Sequence, residues 1–313
     1  AVAAVATVEG GSLGGGSPPA VSSSSGSGRR GPSGQALKGP EQRTTAIEAP
    51  QAESENVLST PAIEVENVRK VYDAIAEHWN HTRYKAWPKV DEFLKGLQPG
   101  SLVADLGCGN GKNIPAVQEA LSFSVPSDAS EPLARIAAET FGASAFVADC
   151  LHTPLRGGIF DAAISIAVLH HLSTEPRRVA ALREGARLLR PGGQLLVYCW
   201  SYEQDDARSR SRHRFEKQDV LVPWKHRTPG VRKPRGGAAV AAGNAEAQEV
   251  QEPAPGGQQA ENWEPEPEVR QRYCHVYREG ELVDLLAQVP ELEIIDSYFD
   301  TGNWCAVARR RAD

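Results

Sequence analysis

The apolar positions of this chain follow two periods, one typical of amphipathic helices and one typical of buried strands. Over residues 65–79, apolar side chains recur three and four positions apart, which predicts a helix. Beyond it, helical segments alternate with short apolar runs that are bounded by Gly and Pro and predict strands. The predicted helices span 88–96, 112–120, 131–141, 175–189 and 280–288, and the predicted strands span 102–104, 123–126, 143–148, 160–168, 194–200, 292–299 and 303–309.

The order of these elements indicates the fold class. Strands that alternate with helices of this length predict a parallel sheet with helices on both faces. Residues 300–302 leave only a short connection between the last two strands, so those strands must be antiparallel. We therefore predict an α/β fold, a seven-stranded, doubly wound, mostly parallel sheet with a C-terminal antiparallel hairpin. This is the architecture of class I methyltransferases.

Two segments show neither the helical nor the strand period of apolar residues. Residues 1–60 are rich in Ala, Gly, Ser and Pro and contain no aromatic residue, so we expect a disordered tail. Residues 205–269 carry ten Lys and Arg between 208 and 235, and then seven Glu and no basic residue between 246 and 268. We expect a largely disordered insert with one motif at 218–224, acting either as a solvated polyampholyte or as an arm along RNA phosphates. Residues 61–204 and 270–311 then form one methyltransferase domain.

Composition narrows the setting of the protein. The net charge of -6 argues against a generally basic, nucleic-acid-coated surface. No apolar run approaches the ~20 residues that span a bilayer, so we expect no membrane association. The five cysteines form no CxxC pair, which indicates neither a zinc site nor a disulfide framework. We expect a cytoplasmic location, with the nucleus as a second one, and the acid-poor N-terminal tail leaves an organelle transit peptide open.

A glycine-rich loop follows the first predicted strand. Dinucleotide sites place their third glycine three positions after the second, whereas Gly111 follows Gly109 by two. The spacing of Asp105, Gly107, Gly109 and Gly111 resembles the first motif of class I methyltransferases instead. S-adenosyl-L-methionine has no pyrophosphate and needs backbone to come close to its amino-acid moiety, where a Cβ would collide.

Further cofactor contacts are expected at the carboxyl ends of the strands, where open α/β sheets bind ligands. Asp128 ends the second strand and is placed to accept both ribose hydroxyls, while Asp149 follows the third strand and is placed to face the adenine amino group. Each acid taken alone also suits a helix cap or a loop. Pro126 removes a donor from the second strand, which would distort the ribose site. The cofactor-binding candidates are Arg83, Asp105, Gly107, Gly109, Gly111, Asp128, Asp149 and Ala167.

Several stretches resemble the tRNA wobble-uridine carboxymethyl O-methyltransferases. They are residues 82–88, 164–171, 198–200, 218–224 and 272–282. Residues 218–224 and 272–282 carry the resemblance furthest, because no generic methyltransferase requires them. The resemblance implies methyl-ester formation on 5-carboxymethyluridine in the tRNA anticodon, which gives 5-methoxycarbonylmethyluridine. It also implies a small zinc-binding activator subunit as a partner, in a heterodimer.

The residues are compatible with that chemistry. A carboxylate is ionised at neutral pH, so it needs no general base, but it does need a cation or a donor to hold it. His170 and Arg278 are the favoured catalytic candidates, with local hydrogen bonding as the alternative for His170, while Arg83 also suits the methionine carboxylate of the cofactor. Trp87, Trp224 and Tyr277 could stack an anticodon base or pack in the core. The substrate-binding candidates are Tyr84, Lys85, Trp87, Trp224, His275 and Tyr277.

Two other functions stay open at this stage: a class I methyltransferase of small molecules, and a catalytically silent homologue that binds cofactor or RNA. Base N-methylation is disfavoured, because residues 169–172 read Leu-His-His-Leu where a polar-Pro-Pro-aromatic motif is typical. Residues 145–147 are short, apolar and uncharged. In this fold they would lie at a sheet edge, which invites a partner strand.

Overall fold

The computed structural model describes residues 44–52, 54–81, 85–204, 213–225 and 269–312. The expected disorder of residues 1–43 and of most of the insert lies outside these residues. The positions expected for Arg83 and Tyr84 lie outside them as well.

A seven-stranded sheet forms the centre of the molecule, in the order β4-β3-β2-β5-β6-β10-β9. Its first five strands are parallel, and β10 runs antiparallel to both of its neighbours, β6 and β9. The strands of the described chain are β1 (Thr45–Ala46), β2 (Leu102–Leu106), β3 (Phe123–Asp128), β4 (Phe146–Val147), β5 (Phe160–Ile166), β6 (Leu189–Trp200), β7 (Asp219–Lys225), β8 (Val269–His275), β9 (Leu292–Asp300) and β10 (Asn303–Arg310). The predicted fold class is confirmed.

Helices cover both faces of this sheet because each presents an apolar stripe to it. On one face, Val90 and Leu94 are buried against Ile164. On the other, Leu182 and Leu285 are buried in a larger apolar cluster. The helices are α1 (Ala62–Glu64), α2 (Lys70–Asn80), α3 (Pro88–Lys95), α4 (Ile114–Glu119), α5 (Glu131–Phe141), α6 (Glu175–Leu188) and α7 (Glu281–Ala287), and a π-helical turn (Val65–Arg69) joins α1 to α2.

A second, antiparallel sheet of three strands, β1-β7-β8, departs from the expected disorder. Thr45 of the predicted tail pairs with Leu221, and Val222 of the predicted insert pairs with Arg272. The reason is burial: Val220 and Val222 enter a small apolar core, which an isolated sequence window cannot reveal. The expectation of a disordered tail up to residue 60 and of a largely disordered insert over 205–269 is therefore wrong for the residues of these strands.

The predicted end of the helix before residues 190–193 is confirmed, because α6 ends at Leu188. The predicted start of the next strand at residue 194 is wrong, because β6 already begins at Leu189 and continues through these residues. Phe160 pairs with Leu189 and Ala162 with Gln194, so the extra residues form a bulge in β6. Gly192 takes a φ of 80°, which glycine adopts without strain.

The described residues include no helix of the length and apolarity that crossing a membrane requires. All five cysteines carry free thiols.

Candidate active site

A cleft lies at the carboxyl ends of β2, β3, β5 and β6. It encloses about 1220 Å³ of space, part of it open to solvent. The glycine loop lines one side, and Tyr72 and Trp79 of α2 line another. Arg272 of β8 enters the same cleft, so the small sheet helps to enclose a site that the large sheet begins.

The glycine loop is shaped by packing as much as by the cleft. Gly107, Gly109 and Gly111 all have positive φ, at 82°, 57° and 80°. A Cβ on Gly107 would lie 2.4 Å from Val168 Cγ2, and one on Gly111 would lie 2.7 Å from Ile114 Cδ1. A Cβ on Gly109 would meet only Trp79 Nε1, at 3.8 Å. Gly107 and Gly109 line the cleft, and Gly111 packs behind it.

Asp105 lies beneath this loop and does not line the cleft. Its side chain is almost fully buried, Asn113 Nδ2 donates to its Oδ2 at 3.4 Å, and its Oδ1 has no hydrogen-bond partner among the described residues. Burial raises the pKa of Asp105 to about 7, against smaller opposing effects of Asn113 and Lys112. In this structure Asp105 is therefore not placed to make the direct cofactor contact that the sequence predicts.

Asp128 is positioned as the sequence predicts, at the end of β3 and on the cleft wall. The backbone N–H groups of Gly109 and Ser130 each donate to its carboxylate at 2.8 Å. Burial raises its pKa, and these two donors act in the opposite direction. Pro126 keeps its place in β3, opposite Asp105, so the strand is not interrupted.

Asp149 also lines the cleft, but its carboxylate is already engaged. Arg69 of the π-helical turn lies 2.5 Å from Asp149 Oδ2, and Arg177 lies 3.9 Å from the same oxygen. Leu151 N–H donates to Oδ1 at 3.0 Å. An adenine amino group expected at Asp149 would therefore share this acid with two guanidinium groups.

Ala167 follows β5 with a positive φ of 64° and lines the cleft. Its N–H donates to the Tyr198 carbonyl at 2.9 Å, which holds the strained turn in place. Together, the open backbone at Gly109, the turn at Ala167 and the carboxylate of Asp128 on the cleft wall fit the expected S-adenosylmethionine.

His170 and His171 lie just beyond that turn and are both neutral. Burial lowers the pKa of His170 well below its usual value and that of His171 to about 3. Trp200 N–H donates to His170 Nδ1 at 3.3 Å, which leaves the proton on Nε2. His170 lines the cleft as a neutral donor, which is one of the two kinds of group, cation or donor, that its predicted role allows.

His171 has both nitrogens occupied. Its Nδ1 lies 2.8 Å from the Tyr273 carbonyl and must carry the proton, so Tyr72 donates to Nε2, also at 2.8 Å. Potential metal-ligand atoms of His170, His171 and Cys274 lie within 4.8 Å of one another. A metal ion there would have to displace the hydrogen bonds of His171.

Three further candidates do not line the cleft. The Arg278 side chain is exposed, and its guanidinium lies over the Tyr202 ring at 5.2 Å. Tyr277 is fully buried, so it cannot stack a base. His275 is held between Asp219 Oδ1 at 3.1 Å and Glu281 Oε1 at 2.6 Å. The roles predicted for these residues are not compatible with this geometry.

The tryptophan candidates lie at the cleft. Trp87 lines it, with Lys112 Nζ 4.4 Å from the ring centroid. Trp224 borders it through Trp79, at 5.2 Å between ring centroids, and donates to His78 Nδ1 at 3.0 Å. Lys85 is exposed.

Sequence reasoning missed three arginines that line the cleft, Arg69, Arg177 and Arg272. Arg272 begins the stretch 272–282 and stands opposite Val222 of the motif 218–224. The available signal was its place at the start of that stretch, because β8 itself was not predicted and its exposure does not alternate. Trp79, Trp200 and Tyr72, which contact Arg272, were also missed as site residues.

Comparison with known proteins finds methyltransferases. Residues 104–197 match the family model described as a methyltransferase domain. The chain is 38% identical over 286 residues to the tRNA (carboxymethyluridine(34)-5-O)-methyltransferase alkbh8 of Xenopus tropicalis, which covers 81% of this chain and 42% of that relative. It is 37% identical over 254 residues to the tRNA (carboxymethyluridine(34)-5-O)-methyltransferase of Schizosaccharomyces pombe, which covers 79% of this chain and 99% of the relative.

Among solved structures, the Burkholderia thailandensis 1,6-didemethyltoxoflavin-N1-methyltransferase shares the fold. It superposes with a TM-score of 0.53 at 16% identity, over 86% of this chain and 95% of that one. The chain spans less than half the length of the three animal relatives named as carboxymethyluridine methyltransferases.

Proposed function

The chain belongs to the tRNA (carboxymethyluridine(34)-5-O)-methyltransferase family, and from this premise we propose that it esterifies 5-carboxymethyluridine at the tRNA wobble position. The methyl group comes from S-adenosylmethionine, the cofactor of its methyltransferase domain. The product is 5-methoxycarbonylmethyluridine.

One observation carries this proposal: among the described residues, the far end of the cleft offers donors and a cation but no general base. His170 is neutral with its proton on Nε2, His171 has both nitrogens occupied, and Arg272 lies beside them. An amino or hydroxyl acceptor has to lose a proton during methylation, whereas a carboxylate does not. This end of the cleft therefore suits an acceptor that is already an anion.

The reaction is a direct displacement. The cofactor supplies an electrophilic methyl group on a sulfonium. A carboxylate oxygen forms the new C–O bond as the C–S bond breaks, the electron pair stays on sulfur, and no proton is released. The task of the protein is alignment, an effect that can supply ~7–11 kcal/mol. Gly107 and Gly109 hold the backbone open for one reactant, and His170, with its proton on Nε2, would donate to the other.

The test is methyl transfer from labelled S-adenosylmethionine to tRNA that carries 5-carboxymethyluridine, followed by mild alkali. We expect label in the tRNA and its release by alkali, because methyl esters hydrolyse under these conditions. Label that resists alkali would mean N- or C-methylation and would contradict the proposal. Cofactor binding without transfer would favour the small-molecule or the silent alternative.

A zinc-binding activator subunit is the partner that we propose for the edge of the large sheet at β4. This strand pairs only with β3 among the described residues, through Ser127–Phe146 and Asp128–Val147. Val147 is 54% exposed there. An apolar residue on an unpaired edge supports addition of a partner strand. The cytoplasmic location and the RNA-binding role of the basic arm remain predictions.

A further inference from the structure

Arg272 is a buried cation at the acceptor end of the cleft. The residue is 5% exposed and lines the cleft from the small sheet. Its guanidinium carbon lies 5.0, 5.7 and 5.8 Å from the ring centroids of Trp224, Trp79 and Trp200. Three indole rings therefore surround one positive charge.

No carboxylate in the described part of the chain pairs with this charge. The polar contact that Arg272 makes there is a long one, from Nη1 to the Tyr72 hydroxyl at 3.4 Å, and its Nε has no acceptor. Indole faces attract a guanidinium, but they leave its N–H donors unpaired. Because a buried, unpaired charge is strongly disfavoured, an anion from outside the described chain would complete the site.

The groups that face Arg272 add no second charge. His170, His171 and His213 all have pKa values lowered by burial first and by the charge of Arg272 second or later. The three imidazoles are therefore neutral at physiological pH. The local potential comes from the guanidinium and selects an anion over a neutral ligand.

The position of Arg272 relative to the glycine loop indicates which anion it binds. Trp79 is the bridge between Arg272 and the glycine loop, because its Nε1 lies 3.8 Å from the place of a Cβ on Gly109. His170 stacks on Trp200 with ring centroids 5.3 Å apart. The guanidinium thus lies one indole ring away from the loop that holds the cofactor, on the side of the neutral donor His170.

We propose that Arg272 binds the carboxylate of the methyl acceptor and makes the enzyme select a carboxymethyl group over its neutral amide. This inference rests on the proposed function. A guanidinium that holds one carboxylate oxygen leaves the other free to form the C–O bond with the methyl group. An amide presents an N–H₂ donor and no charge to the same site, so it loses both the ionic attraction and an acceptor.

The experiment measures binding of two nucleosides, 5-carboxymethyluridine and 5-carbamoylmethyluridine, by calorimetry with S-adenosylhomocysteine present. The variants are Arg272→Met, which removes the charge, and Arg272→Lys, which keeps it without the planar fork. The matched control is Arg190→Met, because Arg190 pairs with Asp161 at the opposite end of the strands. Binding of S-adenosylmethionine alone is measured for every variant.

We expect the wild type and Arg190→Met to bind the carboxylate at least about tenfold more tightly than the amide. Arg272→Met should bind both nucleosides equally and keep its cofactor affinity, and Arg272→Lys should discriminate less than the wild type. We expect Arg272→Met to fold at least as stably as the wild type, because removing an unpaired buried charge removes a desolvation cost. A purely structural role predicts loss of stability with discrimination retained.

Two results would overturn the inference. One is equal or undetectable binding of the two nucleosides by the wild type. The other is an Arg272→Met protein that still discriminates between them; if it also loses cofactor affinity, the guanidinium belongs to the methionine carboxylate. Discrimination in binding without methyl transfer to tRNA would contradict the proposed function alone. Equal ester formation by wild type and Arg272→Met would contradict this inference alone.

Discussion

At the scale of single residues, Asp105 shows how a motif position can act from behind the site. The acid opens the glycine motif, yet the residue is 1% exposed and its carboxylate contacts Asn113 rather than the cleft. Burial raises its pKa to about 7, so the ionised form is disfavoured in the folded protein. A carboxyl group of this kind lowers the free energy of unfolding at pH values where it is ionised in the unfolded chain.

The sign follows from proton linkage. Between the usual pKa of 3.8 and the raised value of about 7, the folded chain holds a proton that the unfolded chain has released. Stability therefore falls as the pH rises through that window. The Asn side chain of Asp105→Asn does not titrate. We therefore expect the unfolding free energy of this variant to rise by about 2 kcal/mol relative to that of the wild type as the pH increases from ~5 to ~8.

Urea unfolding of the cofactor-free protein at several pH values measures this difference. Asp161→Asn is the control. Burial tends to raise the pKa of Asp161, but hydrogen bonds from Leu102 and Arg190 lower it overall. The pKa of Asp161 in the folded protein lies below this pH range. The difference in unfolding free energy between Asp161→Asn and the wild type should therefore change little with pH. If the difference in unfolding free energy between Asp105→Asn and the wild type also stayed constant with pH, the Asp105 carboxyl group would have an ordinary pKa.

At the scale of elements, a charged network joins three of them. His275 of β8 lies between Asp219 of β7 and Glu281 of α7, at 3.1 and 2.6 Å. Tyr273 also donates to Asp219. Burial tends to lower the pKa of His275, but the two carboxylates outweigh burial and raise it. The network therefore attaches the small sheet to the helix beside it through an imidazole whose charged form the two carboxylates favour.

A raised histidine pKa stabilises the fold below the unfolded pKa of 6.5, and this stability is lost as the pH rises through the folded pKa. We expect His275→Gln to cost on the order of 1–2 kcal/mol at pH ~6 and less at pH ~9. Denaturant unfolding at both pH values measures the cost. Glu281→Gln should reduce the pH dependence of the wild type, and a cost that grows with pH would refute the assignment.

At the scale of the whole molecule, the large sheet has two edges of different character. β4 is a two-residue edge with Val147 54% exposed, whereas β9 is a long antiparallel edge with Ile295 42% exposed. The short β4 edge leaves unpaired backbone beside the cofactor cleft, because Asp128 and Asp149, which line the cleft, flank β4. A partner at β4 would therefore stabilise the wall of the cleft itself.

Val147→Lys places a charge on the β4 edge, and Ile295→Lys is the matched substitution on the opposite edge. If the activator adds a strand to β4, Val147→Lys should weaken its binding at least about tenfold, and Ile295→Lys should leave it unchanged. Co-purification and titration calorimetry with the activator subunit measure both. Equal binding of the two variants would place the partner elsewhere.

The order of helices and strands around the large sheet, the glycine loop and the acid of the second strand could all be predicted from the sequence. These features depend on local periodicity and on residue types that a conformation demands. Residues 102–104 are a short apolar run, and Gly107 and Gly109 have positive φ where other side chains are strained. The carboxyl ends of neighbouring parallel strands must also meet, so Asp128 had to reach the cleft.

The tertiary structure decided which basic and aromatic side chains face the cleft. Within 272–282, Arg272 enters the cleft, whereas Arg278 points to the surface and Tyr277 enters the core. That choice depends on the pairing of β7 with β8 across a long insert, and on burial by elements that are remote in sequence. Charge states depend on the same burial, which is why His170 became a neutral donor. Local pattern determined the framework, and long-range packing determined which residues of the family motifs can touch the reacting groups.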